Sequence, residues 1–272
     1  MALIHQNRKN IVIDMGSTKE GIASNILTTF LQKKAIKKID LVILTHMHED
    51  HINGLENVVE KIRVEKVAYA RPKICNKDSD KKVKEILNRN NIPIIDVEEY
   101  DRLDIGNTSI DILSPPKEKY IEAKDEENSN SLILLVNLNR KTNWIKEVKS
   151  VENKTVGNYE NEENNIKSNY LFMGDATKES DKSFIERLEK INDFKRKENI
   201  KQRLKNLNAI QIGHHGSKTS TSDELLNNIN VLFAIISSKK EKFGHPADEV
   251  IEKLKRQSIE IKITEKNGAI KF

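Results

Sequence analysis

The sequence predicts one layered α/β (α+β) domain spanning residues 1–272, and three observations carry that expectation. Short β-branched apolar runs alternate with amphipathic stretches along the chain, the pattern of sheets covered by helices. The length, 272 residues, is enough for one well-buried unit. The chain is polar, with 33% charged and 36% hydrophobic residues, yet its apolar residues gather in runs such as Ile11-Val12-Ile13 and Leu41-Val42-Ile43-Leu44. A chain too polar to bury a core would not cluster them, so extensive disorder is excluded.

The elements follow in order. Ile11–Asp14 reads as a strand, and 19–32 as a helix with Ile22, Ile26, Leu27 and Phe30 on its apolar face. Residues 40–45 form a buried strand. Residues 52–62 form a helix, with Leu55, Val58, Val59 and Ile62 at helical spacing. A strand over 64–69, a helix over 80–89 and several short strands over 94–114 lead to Pro115-Pro116. After an acidic loop (117–130) comes a strand over 131–138. Residues 140–168 hold few apolar positions and many Asn, Glu and Lys, which marks a polar surface insertion or a disordered loop. A strand at 170–173 and helical residues from 178 to 205 follow. Then come strand 209–212, helix 222–229, strand 231–236, a helix from Pro246 and strands at 259–263 and 269–272. No repeat of 20–50 residues is present.

Composition narrows the setting further. No apolar run approaches the ~20 residues that a membrane-spanning helix needs. A single cysteine, Cys75, excludes an intramolecular disulfide framework. The N-terminus has no secretory pattern, so the cytoplasm is the expected location. The net charge is +5, and residues 182–205 alone hold nine Lys/Arg against four Asp/Glu, a local excess of equal size. That segment is either a nucleic-acid contact or a solvated helical face.

The chemistry concentrates at His46-Met47-His48-Glu49-Asp50-His51, directly after a hydrophobic strand. Three of the chain's seven histidines lie within these six positions. In extended chain, residues i and i+2 face the same side, so His46 and His48 can grip one ion. Asp50 and His51, where the chain turns into a helix, face a second; Met47 and Glu49 point away. Imidazole and carboxylate suit zinc, with manganese or iron as alternatives. Further candidates end other strands, Asp14-Met15-Gly16-Ser17, Met173-Gly174-Asp175 and Gly213-His214-His215-Gly216-Ser217, with Gly244-His245-Pro246 further on. Asp175 is either a metal bridge or a helix N-cap. His245 is either functional or a ring packed at a helix start.

These motifs together resemble the metallo-β-lactamase superfamily, whose HxHxDH signature reads here as HMHEDH. The closer resemblance is to the soluble metallo-β-lactamase-like domain of ComEC-type competence proteins and their free-standing relatives. It rests on Val12–Gly16, HMHEDH with Ile52–Leu55, Asn130–Leu134, Leu171–Asp175, His214–Ser220 and Gly244–Pro246. The resemblance implies a four-layer αββα sandwich with two divalent ions, zinc or alternatively manganese, along one edge. His46 and His48 would hold the first ion, Asp50 and His51 the second, with Asp175 bridging. One of His214 and His215 would complete the ligand set of the second ion, and Asn130, or else Asn128, would stand where many members carry a histidine. Asp14 would support the loop by hydrogen bonds rather than ligate. The family's usual opening strand, of D-V-G-Q-G-D type, has no counterpart before Met1. Either the chain is truncated there or the sheet lacks that strand, which would expose an edge. Family members often carry Asp where this chain has His48, which makes the first site more zinc-like.

The expected activity is that of a metal-dependent phosphodiesterase or nuclease acting on DNA through a two-metal-activated hydroxide. Asp50 and His245 would be catalytic, His245 as proton donor to the leaving alkoxide. Ser217, Lys218 and Ser220 would hold the phosphate. Two alternatives remain: hydrolysis of small esters, lactones or phosphoesters at the same site, and a non-catalytic binding module.

Overall fold

A computed structural model describes residues 1–70, 77–143, 163–238 and 244–271. Two sheets face each other, and helices cover both outer sides. The first sheet runs in the order β1 (Ala2–Gln6), β2 (Lys9–Ile13), β4 (Leu41–Ile43), β6 (Val67–Tyr69), β7 (Ile94–Asp96). The second runs β14 (Glu260–Ile263), β13 (Val231–Ile236), β12 (Leu207–Gln211), β11 (Glu163–Phe172), β10 (Ile133–Asn143), β9 (Thr108–Ser114), β8 (Arg102–Ile105). A two-stranded parallel pair, β3 (Lys38–Ile39) and β5 (Arg63–Val64), forms a separate ladder beside the first sheet.

The apolar runs explain this layering through strand alternation. In β2 and β4, Ile11, Ile13, Leu41 and Ile43 face the core between the sheets, where they meet Ile110, Ile112, Leu134 and Val136. Val12, Val42 and Leu44 point the other way, under the helices Ile22–Lys33, Leu55–Lys61 and Lys77–Arg89. In β10 the neighbours Ile133 and Leu135 turn outward to Phe184, Leu188, Ile200 and Leu204. Both faces of each sheet are therefore buried, which is why the strands read as continuous hydrophobic runs.

Several expectations change. The helix Ile22–Lys33 buries Ala23, Ser24, Leu27, Thr28 and Leu31, whereas Ile22, Ile26 and Phe30 are exposed. Small residues, rather than the bulkiest ones, bring this helix close to its neighbour. The helix expected over 52–62 is broken at Asn53-Gly54 into Glu49–Ile52 and Leu55–Lys61. A strand that sequence reading did not foresee, β1, pairs with β2 through a two-residue turn in which Asn7 and Arg8 both have positive φ (48° and 61°). The expected strand over 269–272 is absent among the described residues; a short helix, Thr264–Asn267, follows β14 instead. The ends of the polar insertion extend the β10–β11 hairpin, pairing as far as Asn143 with Glu163. Residues 144–162 and Cys75 lie outside the described residues.

The basic segment 182–205 is also reinterpreted. It forms the helices Lys178–Glu189 and Phe194–Leu204, and several of its cations turn inward or pair locally. Arg187 binds Glu99, and Arg203 binds Asp111 and donates to the Leu135 carbonyl at 3.0 Å. Arg196 stacks over Tyr100, and Lys197 and Lys201 pair with Glu189. Lys182, Lys190 and Lys195 remain exposed.

Asp181, 1% exposed, accepts the Ser222 N–H at 2.8 Å at the start of the helix Asp223–Asn228. Burial pushes its carboxyl up to about 7, more than the Ser222 contacts pull it back. The protonated form therefore favours the fold fully below about pH 4, the carboxyl's ordinary value. This contribution fades as pH rises through 7. Asp181→Asn is expected to gain stability relative to the parent between pH 4 and 8. Parallel urea unfolding curves check this, and a pH-independent difference would contradict it.

Candidate metal centre

The site forms where carboxyl ends of parallel strands from both sheets meet, the edge at which α/β enzymes commonly hold ligands. Asp14 follows β2, His46 follows β4, Asp175 follows β11 and His215 follows β12. The two edges are joined by the Leu132 N–H donating to the Thr45 carbonyl (2.9 Å), and within the second edge the Asp175 N–H donates to Ser131 Oγ (3.3 Å). His214 N–H reaches the Gly174 carbonyl at 3.3 Å.

Each ring is oriented by a partner on its outer nitrogen. Asp14 lies in the left-handed region (φ 55°) and is buried. Its carboxylate accepts the Thr45 N–H at 2.8 Å and pairs with His51 Nδ1 at 2.9 Å, which turns His51 Nε2 into the cleft. Thr45 Oγ1 lies 3.1 Å from His46 Nδ1 and also bonds Asp14. His215 Nδ1 donates to the Ser237 carbonyl at 2.7 Å, again leaving Nε2 inward. Asp14 thus fastens Thr45 and His51 through hydrogen bonds. Met47 is buried in the core and Glu49 is exposed, both pointing away from the cleft.

The inward atoms converge. His46, His51 and Asp175 bring three ligand atoms within 4.8 Å of one another, and so do Asp50, His51 and His215. His46 Nε2 and His48 Nδ1 are 3.1 Å apart, close to the ~3.4 Å between two nitrogens on one tetrahedral zinc. Asp175 Oδ2 is 4.0 Å from His46 Nε2 and 3.6 Å from His215 Nε2, and Oδ1 is 3.3 Å from His51 Nε2. His51 Nε2, Asp175 Oδ1 and His215 Nε2 are buried without hydrogen-bond partners, as are Glu127 Oε1 and Asn128 Oδ1. Such buried orphans cost ~1–3 kcal/mol each unless a ligand satisfies them, and imidazole with carboxylate is the donor set for a divalent transition metal. The residues fit that group.

Electrostatics describe the same design. Burial opposes charge on His51, but the Asp175 and Asp14 carboxylates on either side raise it to about 10. Burial, reinforced by the neighbouring His51 charge, lowers His46 to about 3, the neutral form a ligand needs. Asp175 is held well below the usual range: burial opposes its ionisation, but the adjacent His51 charge prevails. Asp50 is lowered to about 2, chiefly by the adjacent His215 ring.

The remaining expected residues separate. His215, not His214, faces the carboxylates: His214 engages Thr219 Oγ1 (3.1 Å) and Asn128 Nδ2 (3.3 Å). Asp175 caps no helix, since Thr177 is the N-cap of Lys178–Glu189. Asn130 is not at the cleft. Its amide accepts the Ile121 N–H at 2.8 Å and donates to the Ile121 and Glu126 carbonyls, so it fastens the preceding loop. Asn128 is the asparagine beside the histidines. Ser217 and Ser220 are buried and bonded within their own loop, Ser220 Oγ to the Ser217 carbonyl at 2.8 Å, so neither is presented to a substrate. Lys218 is exposed on that loop. His245 sits at the rim with its ring 6.1 Å from that of His214, and burial followed by the two neighbouring histidines lowers its pKa. Sequence reading missed Glu127, whose Oε2 lies 3.4 Å from His48 Nε2. Because β10 is antiparallel to β11, the residues before it arrive at the same edge, and that position was the available signal.

Comparisons with known proteins agree with this architecture. Residues 1–107 match the family model of the metallo-beta-lactamase superfamily. The chain is 28% identical over 284 residues to ComE operon protein 3 of Bacillus subtilis, covering 98% of this chain and 30% of that protein. It is 32% identical over 106 residues to Recombination protein 2 of Haemophilus influenzae, covering 39% of this chain and 11% of the other. The chain thus spans less than a third of either relative. Among solved structures, the metallo-beta-lactamase fold protein YhfI of Bacillus subtilis superposes with a TM-score of 0.52 at 11% identity, covering 96% of this chain and 86% of that one. No helix among the described residues is long and apolar enough to cross a membrane.

Proposed function

We propose that this chain, which has the fold of the metallo-β-lactamase superfamily, is a metal-dependent phosphodiesterase acting on DNA. The observation that carries the proposal is the convergence of buried, unpartnered His51 Nε2, Asp175 Oδ1 and His215 Nε2 in one cleft. His46, His48 and Asp175 would hold one divalent ion, zinc or manganese, and Asp50, His51 and His215 a second, with Asp175 shared. Bound there, such ions supply an acidified water and positive charge for a phosphoryl oxygen.

The chain's own residues do the rest. Asp14, Thr45 and the Ser237 carbonyl fix the rings so that each presents one chosen nitrogen. Asp50, half-exposed and ionised, is placed to accept a hydrogen bond from the attacking water. His245 stands beside His214, its pKa lowered by burial and the neighbouring histidines, and would give a hydrogen bond or a proton to the leaving oxygen. Lys218 and the exposed Lys182, Lys190 and Lys195 favour a polyanion, and similarity to a protein named for recombination favours DNA among polyanions.

The test is cleavage of single-stranded DNA, duplex DNA and a small phosphodiester by metal-reconstituted protein. Cleavage of DNA is expected; turnover of the small ester alone would move the substrate away from DNA, and no turnover of any would overturn the proposal. Charge reversal at Lys182, Lys190 and Lys195 is expected to weaken duplex binding and flatten its salt dependence by up to about 0.9 in log–log slope per lost phosphate contact. An unchanged slope would return these lysines to a solvated face.

A further inference from the structure

We infer that Glu127 is a positioning residue for the first metal position: it accepts a hydrogen bond from His48 Nε2–H and so fixes the nitrogen that His48 offers to the ion. The inference rests on reading the cleft as a metal centre and extends it to a residue outside the histidine motif.

Three observations support it. First, His48 points Nδ1 at His46 Nε2, 3.1 Å away. Two lone pairs that close are stable only around a proton or cation, so Nδ1 is the nitrogen directed at the ion. Second, the opposite ring nitrogen, Nε2, lies 3.4 Å from Glu127 Oε2, whose side chain is 20% exposed. His48 therefore completes a pattern its neighbours already show, with an outer acceptor on one nitrogen and the cleft on the other: Asp14 serves His51, and the Ser237 carbonyl serves His215. A carboxylate in that place fixes tautomer and ring orientation and strengthens the ligand. Third, Glu127 sits on the short helix Glu126–Ser129, whose next residue, Asn128, reaches His214 at 3.3 Å. One turn of chain thus touches both histidine loops. Its own anchorage is separate: Asp125 caps it through the Asn128 N–H, and Asn130 ties it to Ile121. Replacing the Glu127 side chain leaves those bonds in place.

The experiment uses zinc as probe on the full chain. Zinc affinity is measured by chelator competition for the parent, Glu127→Ala, Glu127→Gln and the surface control Glu122→Ala. In parallel, histidine-labelled, zinc-loaded protein is examined by nitrogen–proton NMR, where only seven histidines contribute. Glu127→Ala is expected to weaken one zinc equivalent about 10–100-fold, leave the other unchanged and lose the slowly exchanging His48 Nε2–H signal. Glu127→Gln, which keeps an acceptor oxygen, should recover most of both. Parent-like affinity for both equivalents, or a persistent His48 Nε2–H signal in Glu127→Ala, would overturn the inference. A parent that binds no zinc would overturn the metal-centre reading together with it. Intact zinc binding without DNA cleavage would count only against the substrate.

Discussion

Asp175→Asn is expected to abolish hydrolysis and to remove tight metal binding at both positions. Asp175 is 3% exposed, and its carboxylate lies within 4.0 Å of His46, His51 and His215 alike. It contacts histidines of both groups of ligand atoms, so its loss strips charge from both. Changes to outer partners of metal ligands typically cost 10–100-fold in affinity or activity, and a shared ligand should cost more. The variant should remain folded, because the amide is nearly isosteric and the Asp175 N–H to Ser131 bond belongs to the backbone. Circular dichroism establishes the fold, and metal analysis with a phosphodiesterase assay reads the effect. A variant that retains two equivalents and more than a tenth of the parent rate would show that Asp175 is not shared.

Gly54→Ala is expected to give the largest loss of stability and to disrupt the metal loop. A Cβ at Gly54 would stand 2.0 Å from the Met15 carbonyl oxygen and 3.1 Å from Ser24 Cβ. Gly16 meets the same loop from the other side, where a Cβ would lie 2.4 Å from the Asp50 carbonyl carbon. Backbone presses on backbone at both positions, so no side-chain rotation relieves the clash. Overpacking that side chains can partly absorb costs ~1–3 kcal/mol, and this contact should exceed it. The loop bearing Asp50 and His51 is held to the Asp14 turn by the Met15 N–H donating to the His51 carbonyl at 2.8 Å, so the strain falls on both ligands. A fall in thermal midpoint with weakened metal binding is the expected result. Parent-like values for both would contradict the packing.

Much of this was legible in the sequence because the period of side-chain alternation is simple and the histidines are dense. Ile11, Val12 and Ile13 announce a strand buried on both faces, and His46, His48 and His51 announce the place where the imidazoles gather. Less legible was anything set by contacts distant in sequence. The apolar residues of 19–32 define a face, but only the packing of Ala23 and Ser24 against the neighbouring helix decides that Ile22, Ile26 and Phe30 face water. Likewise Arg187 and Arg203 read as basic surface until Glu99 and Asp111, some ninety residues away in sequence, claim them. Asn130 and Asn128 are indistinguishable as letters; the carbonyls of Ile121 and Glu126 separate them. Glu127 was hidden in an acidic loop whose proximity to His48 depends on the antiparallel entry of β10.

The central claim is that the cleft is built for two divalent ions sharing Asp175. The most direct measurement is elemental analysis of protein stripped by chelator, reconstituted with zinc or manganese and freed of excess metal. The account predicts about two equivalents per chain in the parent and fewer than one in Asp175→Asn. No retained metal in the parent, or equal retention in both proteins, would contradict it.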